Sequence, residues 1–163
     1  MYLMKYFIRF FLGITLLVFS TIVTWYEGSE LLEKPWEWEY STHFSQMNGE
    51  VTNSNDVSEI DFFVYAVKYR PFYPILMMMS FLYILFNFSY LLLRKNVRNF
   101  SLFLGIVGII SLIISTFISD SPTIGGKYFN LILNILGIIS LLNLAIYYLK
   151  QYLNVKKEIQ PLK

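Results

Sequence analysis

The chain has 163 residues, 56% hydrophobic and 19% aromatic, with a formal charge of +2 and a mean hydropathy of +0.52. Only 15% are charged, against about 25% in a soluble domain, and the deficit lies in long uncharged runs that exclude an ordinary water-soluble bundle. With no cysteine, disulfides, a thiol nucleophile and thiolate metal sites are excluded as well.

Taken in chain order, the first apolar run covers residues 6–26 and ends on Trp25 and Tyr26, rings that suit a membrane–water interface. Bulky Thr24, Trp25 and Tyr26 stand where a signal-peptide cleavage site would need small residues, so the run reads as a retained anchor. Residues 27–70 follow as a polar loop. Gly28-Ser29 breaks the run, and Glu30 to Lys34 reads as a short helical turn stopped by Pro35. From Trp36 the period becomes two, with Trp36, Trp38 and Tyr40 facing one way and Glu37 and Glu39 the other. That alternation predicts a half-buried strand.

Asn48-Gly49 and Asn53 to Asp56 are turn signals. The stretch 58–69 (SEIDFFVYAVKY), rich in β-branched and aromatic residues, reads as a second extended segment. The loop is therefore expected to be a small antiparallel β-structure. Further apolar runs cover 71–93, 100–119 and 128–152, each long enough for a hydrocarbon core of about 30 Å. The expected architecture is an all-α, four-transmembrane-helix bundle in a single domain, with a β-structured extracytoplasmic loop between helices 1 and 2.

Orientation follows from the cations. Lys5, Arg9, Arg94, Lys95 and Arg98, with Lys150, Lys156, Lys157 and Lys163, fall on one side of a four-pass chain, nine of the 13 basic residues. The positive-inside rule then predicts a plasma-membrane protein with both termini cytoplasmic. The outer loop holds nine acidic residues against Lys34, Lys68 and Arg70, a formal charge of −6. The pI near 8.7 therefore gives no reason to expect nucleic-acid binding.

Inside the runs, small and polar residues recur at helical spacing. Gly13, Ser20 and Thr24 do so in the first, Ser80, Tyr83, Asn87 and Tyr90 in the second, Ser101, Gly105, Gly108, Ser111, Ser115 and Ser119 in the third, and Asn130, Asn134, Gly137 and Ser140 in the fourth. In lipid, helices associate through close packing at small residues and through interhelical hydrogen bonds, so these residues are read as intramembrane polar packing. The alternative is an asparagine-lined channel or transporter component. No ionisable residue lies mid-span to support it.

For the segment KPWEWEYSTHF, three readings compete. Glu37, Glu39 and His43 would share one strand face, a possible metal site for a membrane enzyme, but His43 is the only histidine. Glu37 and Glu39 could act as a carboxylate pair, but so short a loop offers no substrate cleft. The favoured reading is a recognition surface of Trp36, Glu37, Trp38, Glu39, Tyr40 and His43, serving a non-catalytic accessory or interaction protein. No catalytic residue, metal or cofactor is expected. The expected partners are the lipid bilayer and another membrane or envelope protein, with no oligomeric state fixed by these patterns.

The segment TWYEGSELLEKPWEWEYSTHFS, Thr24 to Ser45, and within it W-Y-E-G-S and P-W-E-W-E-Y-S-T-x-F-S, resembles the YjdJ-like family of small, uncharacterised four-helix membrane proteins of spore-forming Gram-positive bacteria. The resemblance implies a membrane location and four helices. It brings no known activity, substrate or catalytic residue.

Overall fold

The computed structural model describes residues 2–159, with side chains described within 4–154 apart from Lys5. Of the cations used above, Lys163 lies outside the described residues, and the side chains of Lys5, Lys156 and Lys157 lie outside the described side chains. Seven α-helices follow in order: α1 (Tyr2–Gly28), α2 (Trp38–Ser41), α3 (His43–Gln46), α4 (Glu59–Tyr69), α5 (Phe72–Leu93), α6 (Val97–Ile118) and α7 (Ile124–Ile159). Three 3₁₀ turns, Ser29–Glu33, Pro35–Glu37 and Ser54–Asp56, complete the segment between α1 and α4. Helices α1, α5, α6 and α7 are long and apolar enough to cross a membrane.

The expected β-structure is corrected. Among the described residues there is no strand, and the segment 27–70 is a helical cap. Two physical features explain the difference. At 100° per residue, positions 36 and 40 lie within about 40° of each other and position 38 points away from both. An in–out–in alternation of three aromatics therefore fits one helical turn as well as a strand. Trp36 and Tyr40 are accordingly 67% and 59% exposed, while Trp38 packs on the core of the cap. In α4, the Ser58 hydroxyl accepts from the Ile60 N–H at 3.4 Å as N-cap. Acidic Glu59 and Asp61 occupy the first turn and Lys68 the last, the arrangement the helix dipole favours. The buried residues Asp61, Phe62, Tyr65 and Ala66 then form one helical face.

The chain divides into two compact units. One comprises the residues up to Asn87 together with Ser121–Tyr128. Its core lies in the cap, where Leu31, Val57, Phe62 and Tyr65 are buried and Leu32, Trp38 and Val51 pack against them. Burial of each large apolar side chain contributes about 1.5–3 kcal/mol. Helix α4 is seated by backbone-to-backbone contact. A Cβ at Gly28 would collide with the Phe62 carbonyl, and a Cβ at Gly125 with those of Val67 and Lys68. Helices α1 and α5 meet at Gly13, where a Cβ would stand 2.8 Å from Ile84 and 3.1 Å from Tyr83.

The other unit comprises Phe88–Asp120 and the chain from Phe129 onward. Here α6 and α7 approach through glycines: a Cβ at Gly108 would stand 3.0 Å from the Gly137 carbonyl oxygen. One at Gly105 would stand 2.5 Å from Leu144, and one at Gly137 2.6 Å from Leu112. Tyr90 meets Phe100 edge-on at 5.8 Å. Outside these contacts the helices present apolar residues such as Ile109, Phe117 and Ile138.

Gly28→Ala must displace the α4 backbone, whereas Gly13→Ala displaces only side chains. Gly28→Ala should therefore lower stability by about 1–3 kcal/mol, read as a fall in thermal midpoint in detergent, with earlier proteolysis within residues 42–58. Gly13→Ala should leave cap proteolysis unchanged.

Candidate functional site

The chemistry of the cap converges on α4. Asp61, at 0% exposure, is the one fully buried carboxylate among the described residues. Its oxygens accept from the backbone N–H of Phe44 at 2.9 Å, the N–H of Ser45 at 2.8 Å and the Ser45 hydroxyl. The Ser45 hydroxyl in turn accepts from the Ser58 N–H at 2.7 Å. The carboxylate thus satisfies the free amides at the start of α3 from a helix 16 residues later in the chain. At the other end of α4, the Lys68 ammonium donates to the Tyr40 carbonyl and, at 3.4 Å, to the Ser41 hydroxyl, closing the last turn of α2. Desolvation holds the Lys68 pKa below its usual value, against the opposing pull of Glu37 and Asp61.

A second polar group sits where the cap meets the end of α1 and the start of α5. Lys34 pairs with Glu30 at 2.8 Å and donates to the Tyr65 hydroxyl at 2.7 Å. Arg70 reaches the same Glu30 through Nη2 at 3.2 Å and Nε at 3.3 Å. Tyr69 donates to Glu37 at 2.9 Å. The Glu30 carboxylate first, and then the Tyr65 hydroxyl, push the Lys34 pKa up to about 12. Burial and the bond to Glu37 raise that of Tyr69. An open cleft of about 220 Å³ lies among Lys34, Trp36, Glu37, Tyr65, Tyr69 and Arg70.

The residues singled out from the sequence are therefore not on one surface. Trp38 turns inward, its indole N–H donating to the Leu31 carbonyl at 2.9 Å, so it holds the cap together. Glu37 is engaged by Tyr69, while Trp36, Glu39, Tyr40 and His43 are exposed. The strand face that would align Glu37, Glu39 and His43 does not exist, and among the described residues no three His, Asp or Glu side chains are grouped to hold a metal ion.

Within the long helices, Ser80 donates to the Leu76 carbonyl and Asn87 to that of Tyr83, each at 2.7 Å within its own helix. Asn130, Asn134 and Ser115 bond to one another between α6 and α7. The Asn134 amide reaches the Asn130 side-chain oxygen and the Ser115 hydroxyl, both at 2.6 Å, and Asn130 donates to the Ser115 carbonyl at 3.2 Å. Gly105, Gly108 and Gly137 lie in the same helix–helix contact.

Sequence reasoning passed over Asp61, Lys68, Lys34 and Arg70. A signal was present for the first: the Ser58-x-x-Asp61 helix start, with an acid directly before the aromatics of an apolar stretch.

The segment carrying this arrangement also carries the likeness to known proteins. Residues 7–93, spanning most of α1, the whole cap and α5, match the family described as "Domain of unknown function (DUF4306)". The chain belongs to this family. It is also 39% identical over 79 residues to the "Uncharacterized protein YjdJ" of Bacillus subtilis (strain 168), an alignment covering 45% of this chain and 72% of that protein. No solved structure matches. Cap, cleft and the Asp61 network all fall inside the family segment; α6 and α7 fall outside it.

Asp61→Asn keeps one accepting oxygen but turns an amide N–H₂ toward at least one of the three donors, and should cost about 2 kcal/mol or more, read as a lower midpoint in a detergent thermal melt with proteolytic opening of residues 43–58. A second expectation concerns pH. Because folding raises the Lys34 pKa, its stabilising contribution is complete below the ordinary lysine value of 10.5 and disappears as pH rises through about 12. Thermal midpoints of the native chain and Lys34→Met should differ at pH 9 and converge above that range.

Proposed function

We propose that the protein is a multi-pass plasma-membrane protein with both termini cytoplasmic, acting as a non-catalytic accessory or interaction protein through its extracytoplasmic cap. The membrane reading is supported by four long apolar helices whose outward side chains are apolar, from Phe7 and Phe11 in α1 to Ile138 in α7. Orientation is supported by the cation distribution, with Arg94 and Lys95 directly after α5 and Lys150 in the later part of α7.

The interaction reading rests on one observation. Tyr40, Phe44 and Met47 follow at spacings of four and three residues, and are 59%, 42% and 79% exposed, on a segment pinned from behind by Asp61 and Lys68. Glu39 and His43 are exposed among them. Large apolar side chains held out by a rigid support fit a recognition surface better than a core. The surface is accordingly shifted from the six residues read from sequence: Glu39, Tyr40 and His43 stay, Phe44 and Met47 join, and Trp36, Glu37 and Trp38 leave. The channel reading gains nothing from the asparagines, since Asn130 and Asn134 bond to each other and to Ser115.

A photocrosslinking residue placed at Met47 in intact cells should capture a discrete protein adduct. Glu39→Ala with Tyr40→Ala should abolish that adduct while leaving membrane insertion and the thermal midpoint unchanged. An adduct that persists in the double variant would contradict the reading.

A further inference from the structure

We propose that the cleft between Lys34, Trp36, Glu37 and Arg70 binds a zwitterionic phosphoethanolamine headgroup, with its phosphate on the Arg70–Lys34 side and its ammonium on the Glu37–Trp36 side. The argument begins with charge. The cleft is lined by two cations, Lys34 and Arg70, and one carboxylate, Glu37, and a second carboxylate, Glu30, pairs with both cations from outside the lining. Lys34 and Arg70 share Glu30, while Glu37 stands apart, held by the Tyr69 hydroxyl. Positive and negative ends are thus both present and separately anchored, with no net charge. A simple anion would gain little there, because the segment 27–70 as a whole is formally −6. A simple cation would face Lys34 and Arg70. A ligand carrying both signs matches both ends.

Unspent hydrogen-bonding capacity points the same way. Nε and Nη2 of Arg70 bond to Glu30, which leaves three of the five guanidinium N–H groups, and its side chain is 55% exposed. Lys34 uses two of its three N–H groups, on Glu30 and Tyr65. A guanidinium beside an ammonium is a favourable receptor for phosphate oxygens. On the other side, the exposed Trp36 ring next to a carboxylate is a receptor for an ammonium, by cation–π attraction and ion pairing together. Size agrees. At about 10–15 Å³ of such space per water-sized group, about 220 Å³ is ample for phosphoethanolamine.

Position selects the lipid source over a soluble one. Lys34 directly follows the first apolar span, Tyr6–Glu33, and Arg70 comes two residues before the next, Phe72–Leu93. The exposed rings of Tyr26, Trp36, Tyr69 and Phe72 lie at the same border, where aromatic residues meet headgroups.

The test uses the full-length protein in detergent, offered phosphatidylethanolamine and phosphatidylglycerol with matched acyl chains in equal amounts, with retained lipid counted by native mass spectrometry. The ethanolamine lipid should be retained about fivefold over the glycerol lipid. Glu37→Gln, which keeps an acceptor for Tyr69, should remove that preference, and Arg70→Gln should lower retention of both lipids. Trp36→Leu, at an exposed ring, should weaken the preference even if the polar variants fold poorly. Equal retention in the native chain, or a preference unchanged in both Glu37→Gln and Trp36→Leu, overturns the proposal. In a separate arm, free phosphoethanolamine at millimolar concentration should not displace the lipid; displacement would overturn the lipid assignment in favour of a soluble ligand.

Discussion

Burying a carboxylate without partners costs several kcal/mol, so a fully enclosed Asp61 dictates much of what surrounds it. Three donors must come to it, and they come from the first turn of α3 and the Ser45 hydroxyl. That requirement fixes where residues 43–46 lie relative to α4, and α4 is itself seated by the close approach of its carbonyls to Gly28 and Gly125. Lys68 repeats the device at the other end of the same helix by closing α2. A segment of about 45 residues with no disulfide thus has four fastenings: a buried anion, a partly buried cation and two glycine contacts. The small core around Leu31, Phe62 and Tyr65 completes it.

The function proposed for the cap follows from that rigidity. Surfaces that recognise a partner lose less entropy on binding when their side chains are already held in place. Tyr40 and Phe44 belong to turns whose ends are tied to α4, so their outward direction is built in. The polar group at the border with the long helices has a different character. Glu30 pairs with an arginine 40 positions later in sequence as well as with Lys34, and the two cations it gathers retain donors that nothing in the cap consumes. In the second unit the polar groups look inward instead, and Ser115, Asn130 and Asn134 use one another's hydrogen-bonding capacity between α6 and α7. Such contacts hold membrane helices together by about 0.6 kcal/mol each.

The four apolar helices were legible because a run of 20 residues without charge has few structural outcomes. The cap was not legible as helix, for reasons that differ along its length. At Trp36, Trp38 and Tyr40 the pattern was too short to separate two periods, since three alternating aromatics satisfy a strand and a helical turn alike. At residues 58–69 the composition favoured a strand, while the end signals, Ser58 as cap and Asp61 in the first turn, favoured a helix. The end signals prevail, because β-propensity depends strongly on context. The pairing of Asp61 with α3 spans 16 residues and leaves no periodic trace. Nor does the bridging role of Glu30, which depends on Arg70 returning to the end of α1.

The central claim is that the cap is helical and organised by α4. Backbone ¹³Cα and ¹³Cβ chemical shifts of the full-length protein in lipid nanodiscs test it most directly. The account predicts helical secondary shifts without interruption from Glu59 to Tyr69, together with a far-downfield amide proton at Ser45 that moves upfield in Asp61→Asn. Extended-strand shifts across Glu59 to Tyr69 would contradict it.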